Sequence, residues 1–190
     1  MKTLITTFAL LIMFAVGCTD QTGITSPEQP VQTLEPNWIS LPQSSSSGMQ
    51  VNTEWETSER INGAQGGFLT NSVTYSGGIF GTVTINAKLE FQQGAYAGNK
   101  TISMKLTDEN TSVQFNPAKS GFARLVLYNV TYTGLNLSGL DPTKVKFAYI
   151  GADGSTEYAE NEGITVNIAT GTLSVKNAII PHFSRYGFVN

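Results

Sequence analysis

The chain has 190 residues, enough to bury one sizeable core, and carries 11 Lys and Arg against 14 Asp and Glu. That balance excludes a surface built to attract nucleic acid phosphates. Charged residues make up only 13% of the chain, against about a quarter in ordinary domains, and one His with one Cys excludes a multi-histidine zinc site and any internal disulfide.

Residues 1–17 read as an export signal. Lys2 supplies a short basic start, and Leu4 to Val16 is a 13-residue run without charge. A bilayer-spanning helix needs roughly 20 apolar residues, so the run is a removable signal rather than an anchor. The stretch "FAVGC" that closes it resembles the bacterial lipobox, with the small Gly17 placed before the sole cysteine. The resemblance implies that Cys18 becomes the first residue of the mature chain, lipidated at its thiol and acylated at its amino group with a chain such as palmitate. Each buried CH₂ adds about 0.8 kcal/mol, so such an anchor holds essentially for good. Thr19, where inner-membrane lipoproteins of enteric bacteria carry Asp, implies the outer membrane of the cell envelope. The same residues also allow an ordinary signal cut near Gly17 that leaves Cys18 as a free thiol. Loss of Lys2 with the leader leaves a mature net charge of −4.

Residues 18–48 read as a lipid-anchored disordered linker. Four of the seven prolines (Pro27, Pro30, Pro36 and Pro42) fall here, followed by "SSSSG", and no hydrophobic period is visible. Trp38 and Ile39 read as loose apolar side chains within it, or as a small docking patch.

From residue 49 to residue 190 the period is two. "GTVTINAKLEF" places Val83, Ile85, Ala87, Leu89 and Phe91 on one face and Thr82, Thr84, Asn86, Lys88 and Glu90 on the other, the alternation of a half-buried strand. "KTISMKL" repeats it through Ile102, Met104 and Leu106. "ARLVLYNVTY" is apolar on both faces and predicts a central strand. "VKFAYI", "ITVNI" and "TLSVKNAII" follow, with turn residues in "GADG", "ENEG" and "ATG" between them; Asp153-Gly154 suits a tight hairpin. Short strands at close spacing, with almost no helical signal, predict an all-β, antiparallel β-sandwich.

Several pieces resemble, in order, the ZU-five domain, a β-sandwich of animal scaffold proteins also found in bacterial lipoproteins. "INGAQGGFL" resembles its Gly-Gly approach to the first strands, and "LEFQQGAYAGNKTISMKL" its strand, turn and next strand, with Gln93 where the family has proline. "VQFNP" resembles its Phe-x-Pro element and "HFSRYGF" its closing strand. The resemblance covers about residues 60 to 190. It implies a binding or structural module rather than an enzyme, with no small-molecule cofactor and an envelope protein or glycan as partner.

The chemistry-bearing residues are few. A Ser-His-Asp hydrolase would need His182 as its base, and no Gly-x-Ser-x-Gly elbow is present. Asp108 and Glu109 in "TDENTS", and Asp153, Glu157, Glu160 and Glu162 in "GADGSTEYAENEG", are the acidic clusters. They match neither a calcium loop nor a defined carboxylate pair, which leaves a glycan-directed hydrolase as a distant third reading. Asn99, Asn129 and Asn136 begin glycosylation sequons, a chance pattern in a bacterial lipoprotein.

One motif remains. Some members of the resembled family cleave themselves at His-Phe-Ser, which here is His182-Phe183-Ser184. Cleavage would require the Ser184 hydroxyl to attack the Phe183 carbonyl carbon, turning the peptide into an ester that water opens, with His182 taking the proton. The structural reading makes Pro181 the start of a terminal strand whose Phe183 enters the core. His182 and Ser184 then face outward or pair across a sheet edge. Strict alternation would put Tyr186 on the face opposite Phe183.

Overall fold

The computed structural model describes residues 37–44, 52–151 and 153–190. The leader, Cys18 and the expected linker on either side of 37–44 lie outside the described residues. Among the described residues eleven strands follow one another: β1 (Glu54–Asn62), β2 (Gly67–Ser76), β3 (Thr82–Phe91), β4 (Asn99–Thr107), β5 (Val113–Ser120), β6 (Val126–Thr133), β7 (Lys146–Ile150), β8 (Thr156–Tyr158), β9 (Gly163–Asn167), β10 (Thr172–Ile179) and β11 (His182–Val189). They pair antiparallel into a six-stranded sheet, β1-β4-β5-β11-β7-β8, and a five-stranded sheet, β2-β3-β6-β10-β9. The two sheets pack face to face as a β-sandwich. Among the described residues no helix is long and apolar enough to cross a membrane.

Period-two patterning places the core. Val83, Ile85, Ala87, Leu89 and Phe91 of β3 are all buried, as are Ile102, Met104 and Leu106 of β4. They face each other across the sheets, so the alternation of each strand is set by one shared apolar layer. β6 lies between β3 and β10, with Val126, Tyr128, Val130 and Tyr132 inward. The central position does not bury the apolar residues of the outer face, where Leu127 is half-buried and Leu125, just before the strand, is 45% exposed. Asn71 is buried where β2 meets the other sheet, and its amide donates to the carbonyls of Trp55 and Met104 at 3.1 and 3.3 Å. The short β8, which has too few residues to show a period, was not visible in the sequence pattern.

Three expectations need correction. Residues 37–44, assigned to the linker on composition, belong to the sandwich. Trp38 forms a β-bridge with Val189 and Ser40 one with Asn110, while the Ile39 and Leu41 N–H groups donate to Phe188 and Glu109 carbonyls at 2.9 and 3.0 Å. Trp38, Ile39 and Leu41 are buried, which removes apolar surface worth about 1.5–3 kcal/mol for each large side chain. The space that Trp38 fills exists because residue 187 is glycine. A Cβ there would stand 2.8 Å from the Trp38 ring and 2.9 Å from Ser112 Cα.

Secondly, β11 lies between β5 and β7, so pairing across a sheet edge, one of the two placements the sequence left open for His182 and Ser184, does not occur. Thirdly, Tyr186 shares the inward face with Phe183. The register of β11 against β5 runs His182↔Ser120 and Phe183↔Lys119, then resumes at Arg185↔Gln114 and Tyr186↔Val113. The slip at Ser184 breaks the alternation, and both aromatic rings enter the core.

The strands also sort the loops into two ends. One end gathers Asn37, where the described residues begin, the C-terminal Asn190, the β2–β3 turn, the β4–β5 and β6–β7 connections and the β9–β10 turn. Asn37 donates to the Asn190 carbonyl at 3.0 Å, the Tyr132 hydroxyl reaches the Thr111 carbonyl at 3.1 Å, and Trp55 stacks on Tyr75 at 5.2 Å between ring centres. The other end gathers the β1–β2, β3–β4, β5–β6 and β10–β11 connections.

Candidate functional site

β11 positions the motif singled out in the sequence. Phe183 is buried against Phe91, Phe115 and Phe122, with ring centres 6.0, 5.6 and 5.0 Å away. His182 and Ser184 are half-buried. The imidazole of His182 stands edge-on to Tyr149, with 4.5 Å between ring centres and planes at 83°. The Tyr186 hydroxyl donates to the His182 carbonyl at 3.0 Å and lies 3.3 Å from His182 Nδ1. Burial pushes the Tyr186 phenol well above its ordinary range, although the hydrogen bond to His182 pulls it the other way. The phenol is therefore a neutral donor.

This arrangement ties the Tyr186 side chain to the strand's own backbone four residues earlier. The donor rests on the His182 carbonyl, one peptide before the Phe183 carbonyl that self-cleavage would activate. Among the described residues no side-chain hydrogen bond joins Ser184 to His182. The one feature of the motif with a chemical aspect is the ladder slip at Ser184, where the β11–β5 pairing is interrupted beside the Phe183–Ser184 bond.

The acidic clusters do not come together. Asp108 is fully buried at the end of β4, where its carboxylate accepts the Thr53 N–H at 2.7 Å and the Ser44 N–H at 3.0 Å. Burial alone would raise its carboxyl, but the hydrogen bonds from Ser44 and Thr53 outweigh it and hold the acid below its ordinary range. Asp108 therefore ties the segment 37–44 and the start of β1 to the sandwich. Glu109 is exposed beside it. Asp153 closes the β7–β8 turn by accepting the Ser155 N–H and hydroxyl at 3.0 and 2.6 Å. Glu162 pairs with Lys176 at 2.9 Å, while Glu157 and Glu160 are solvated. Among the described residues no three His, Cys, Asp or Glu side chains converge on a metal-sized site.

Two of the sequon asparagines have structural work. Asn129 and Asn177 bond reciprocally, side chain to side chain at 3.0 Å and Asn177 N–H to Asn129 Oδ1 at 2.9 Å. The pair holds the bulge in β10, where Asn177 adopts φ +49°. Asn136 caps its own turn by accepting from Ser138.

The end of the sandwich beside Asn37 has a feature that the sequence reading passed over. Ile79 and Phe80 in the β2–β3 turn are 68% and 48% exposed, and Ile168 in the β9–β10 turn is 43% exposed. The two turns touch. Gly171, at φ +60°, lets the Phe80 ring lie against the second turn, because a Cβ on it would meet Phe80 Cε2 at 2.7 Å. The local signal was legible: "GGIFG" sets an Ile-Phe pair between glycines, where turn chemistry calls for polar residues.

The chain matches no family model, no curated protein and no solved structure. The class that the fold defines is architectural, an all-β protein of two stacked antiparallel sheets.

Proposed function

We propose that this chain is a lipid-anchored protein of a bacterial cell envelope, held through Cys18 at the outer membrane, that displays the sandwich as a binding or structural module. The observation that carries the reading is "FAVGC": an uncharged apolar run, a small residue and the only cysteine of the chain coincide. A ZU-five-type module is supported by the order in which the matching segments fall. "LEFQQGAYAGNKTISMKL" spans the end of β3, its connection and β4, "VQFNP" opens β5, and "HFSRYGF" is β11. The partner is an envelope protein or glycan rather than nucleic acid. Cys18→Ser is expected to move the protein from the membrane fraction to the soluble fraction. Unchanged fractionation would defeat the reading.

A second reading is a self-processing domain cut between Phe183 and Ser184, which the ladder slip at Ser184 favours. It predicts that denatured protein releases the heptapeptide "SRYGFVN" in stoichiometric amount, and that Ser184→Ala abolishes the release. One intact mass for the denatured mature chain would exclude it. Denaturation matters because a cleaved strand between β5 and β7 would stay paired on both sides.

A further inference from the structure

We propose that Ile79, Phe80 and Ile168 seat this end of the sandwich in the interfacial layer of the bilayer to which Cys18 anchors the chain. The inference rests on the lipid anchor of the preceding reading. Three observations carry it.

The first is apolar exposure on contacting turn tips, where Ile79, Phe80 and Ile168 project from the two sequence-distant turns that meet at Gly171, while Phe68, Leu125 and Tyr158, also exposed, lie outside this pair of turns. The second is neutrality. No charged residue lies between Arg60 and Lys88, between Arg124 and Asp141, or between Glu162 and Lys176. The first and third of these stretches contain the two turns, and the second contains Gly134 and Leu135, whose backbone lies under them. Lowering the tip into headgroups therefore buries apolar side chains without desolvating a charge that belongs to those turns.

The third observation is where the segment 37–44 joins the sandwich. Asn37 enters the fold beside Asn190 at this same end, and Pro42 packs against Gly78 at the base of the Ile79-Phe80 turn. Only 18 residues separate Cys18 from Asn37, so the anchored segment joins the fold at this end rather than the opposite one. Tethering turns a weak partition into a local one, because the effective lipid concentration at the tip is set by the short span. Few exposed apolar side chains then suffice.

The test uses the full lipidated chain in vesicles of phosphatidylethanolamine and phosphatidylglycerol containing nitroxide-labelled lipid. Intact mass first establishes the lipid on Cys18. A fluorophore is placed through Thr170→Cys at the tip, or through Leu125→Cys at the opposite end. Quenching several-fold stronger at position 170 than at 125 is expected, and Ile79→Ser with Phe80→Ser should bring the tip down to the level of the far end. Both replaced side chains are exposed, so the thermal midpoint should not move; Ile168→Ser alone should give a partial loss and serves if it does. Equal quenching at the two ends, stronger quenching at 125, or no effect of the serine variants would overturn the proposal while leaving the anchor intact. Self-quenching between labelled copies without lipid quenching would make a second copy the occupant, and overturn it also. A membrane-derived chain without the lipid mass would overturn the anchor reading and this inference together.

Discussion

At the scale of single residues, two buried positions fix more than their size suggests. The Asp108 carboxylate satisfies backbone N–H groups from Ser44 and Thr53, two segments without regular pairing to each other. Asp108→Asn turns one acceptor into a donor that faces an N–H, and should cost about 1.5–3 kcal/mol, the range for hydrogen bonds to charged groups. The pH dependence has a defined sign. The folded acid sits below its ordinary value, so its contribution is complete above the unfolded value of about 3.9 and is lost as pH falls through the lower, folded one. Thermal melts should therefore show a fall in stability below about pH 4 that is smaller in Asp108→Asn. Gly187 is the second position. Gly187→Ala drives a methyl into the Trp38 ring and the Ser112 backbone and should destabilise by about 1–3 kcal/mol in denaturant titrations.

At the scale of elements, β11 and the segment 37–44 support each other. Phe183→Ala removes a ring from an aromatic cluster and should cost about 3–5 kcal/mol, whereas Ser184→Ala, at a half-buried position, should cost under about 1 kcal/mol. Trp38→Ala should cost about 3–5 kcal/mol as well, which a side chain in an unpacked linker would not. Denaturation midpoints of the three variants decide the point. The sequence reads as an interior-facing Phe on a terminal strand, and as a Trp that is loose in a linker or part of a small docking patch. Local alternation could not show that the strand slips at Ser184, nor that glycine on β11 opens a groove for an indole, because both depend on which strands become neighbours.

At the scale of the whole molecule, the sandwich has one core, fed by both sheets, and residues 37–44 close over one end of it. A single cooperative transition is expected. Trp38 reports the segment 37–44 and Trp55 reports β1, where it stacks on Tyr75. Fluorescence midpoints of Trp38→Phe and Trp55→Phe should each coincide with the far-ultraviolet circular dichroism midpoint of the same variant. An earlier transition sensed by Trp38 alone would show that the segment 37–44 unfolds on its own.

The sequence by itself determined the all-β class, the inward faces of β3, β4 and β6, and the central place of β6. Each follows from side-chain alternation, which is local and has a fixed period. It also supplied "FAVGC" and "GGIFG", whose meaning lies in residue type and order. Tertiary structure alone decided the rest: the strand order, the place of β11 inside a sheet, the lock that Asp108 forms with Ser44 and Thr53, and the meeting of Phe80 with Gly171. Those pairs are far apart in the chain and made by packing, so no period within either segment encodes them.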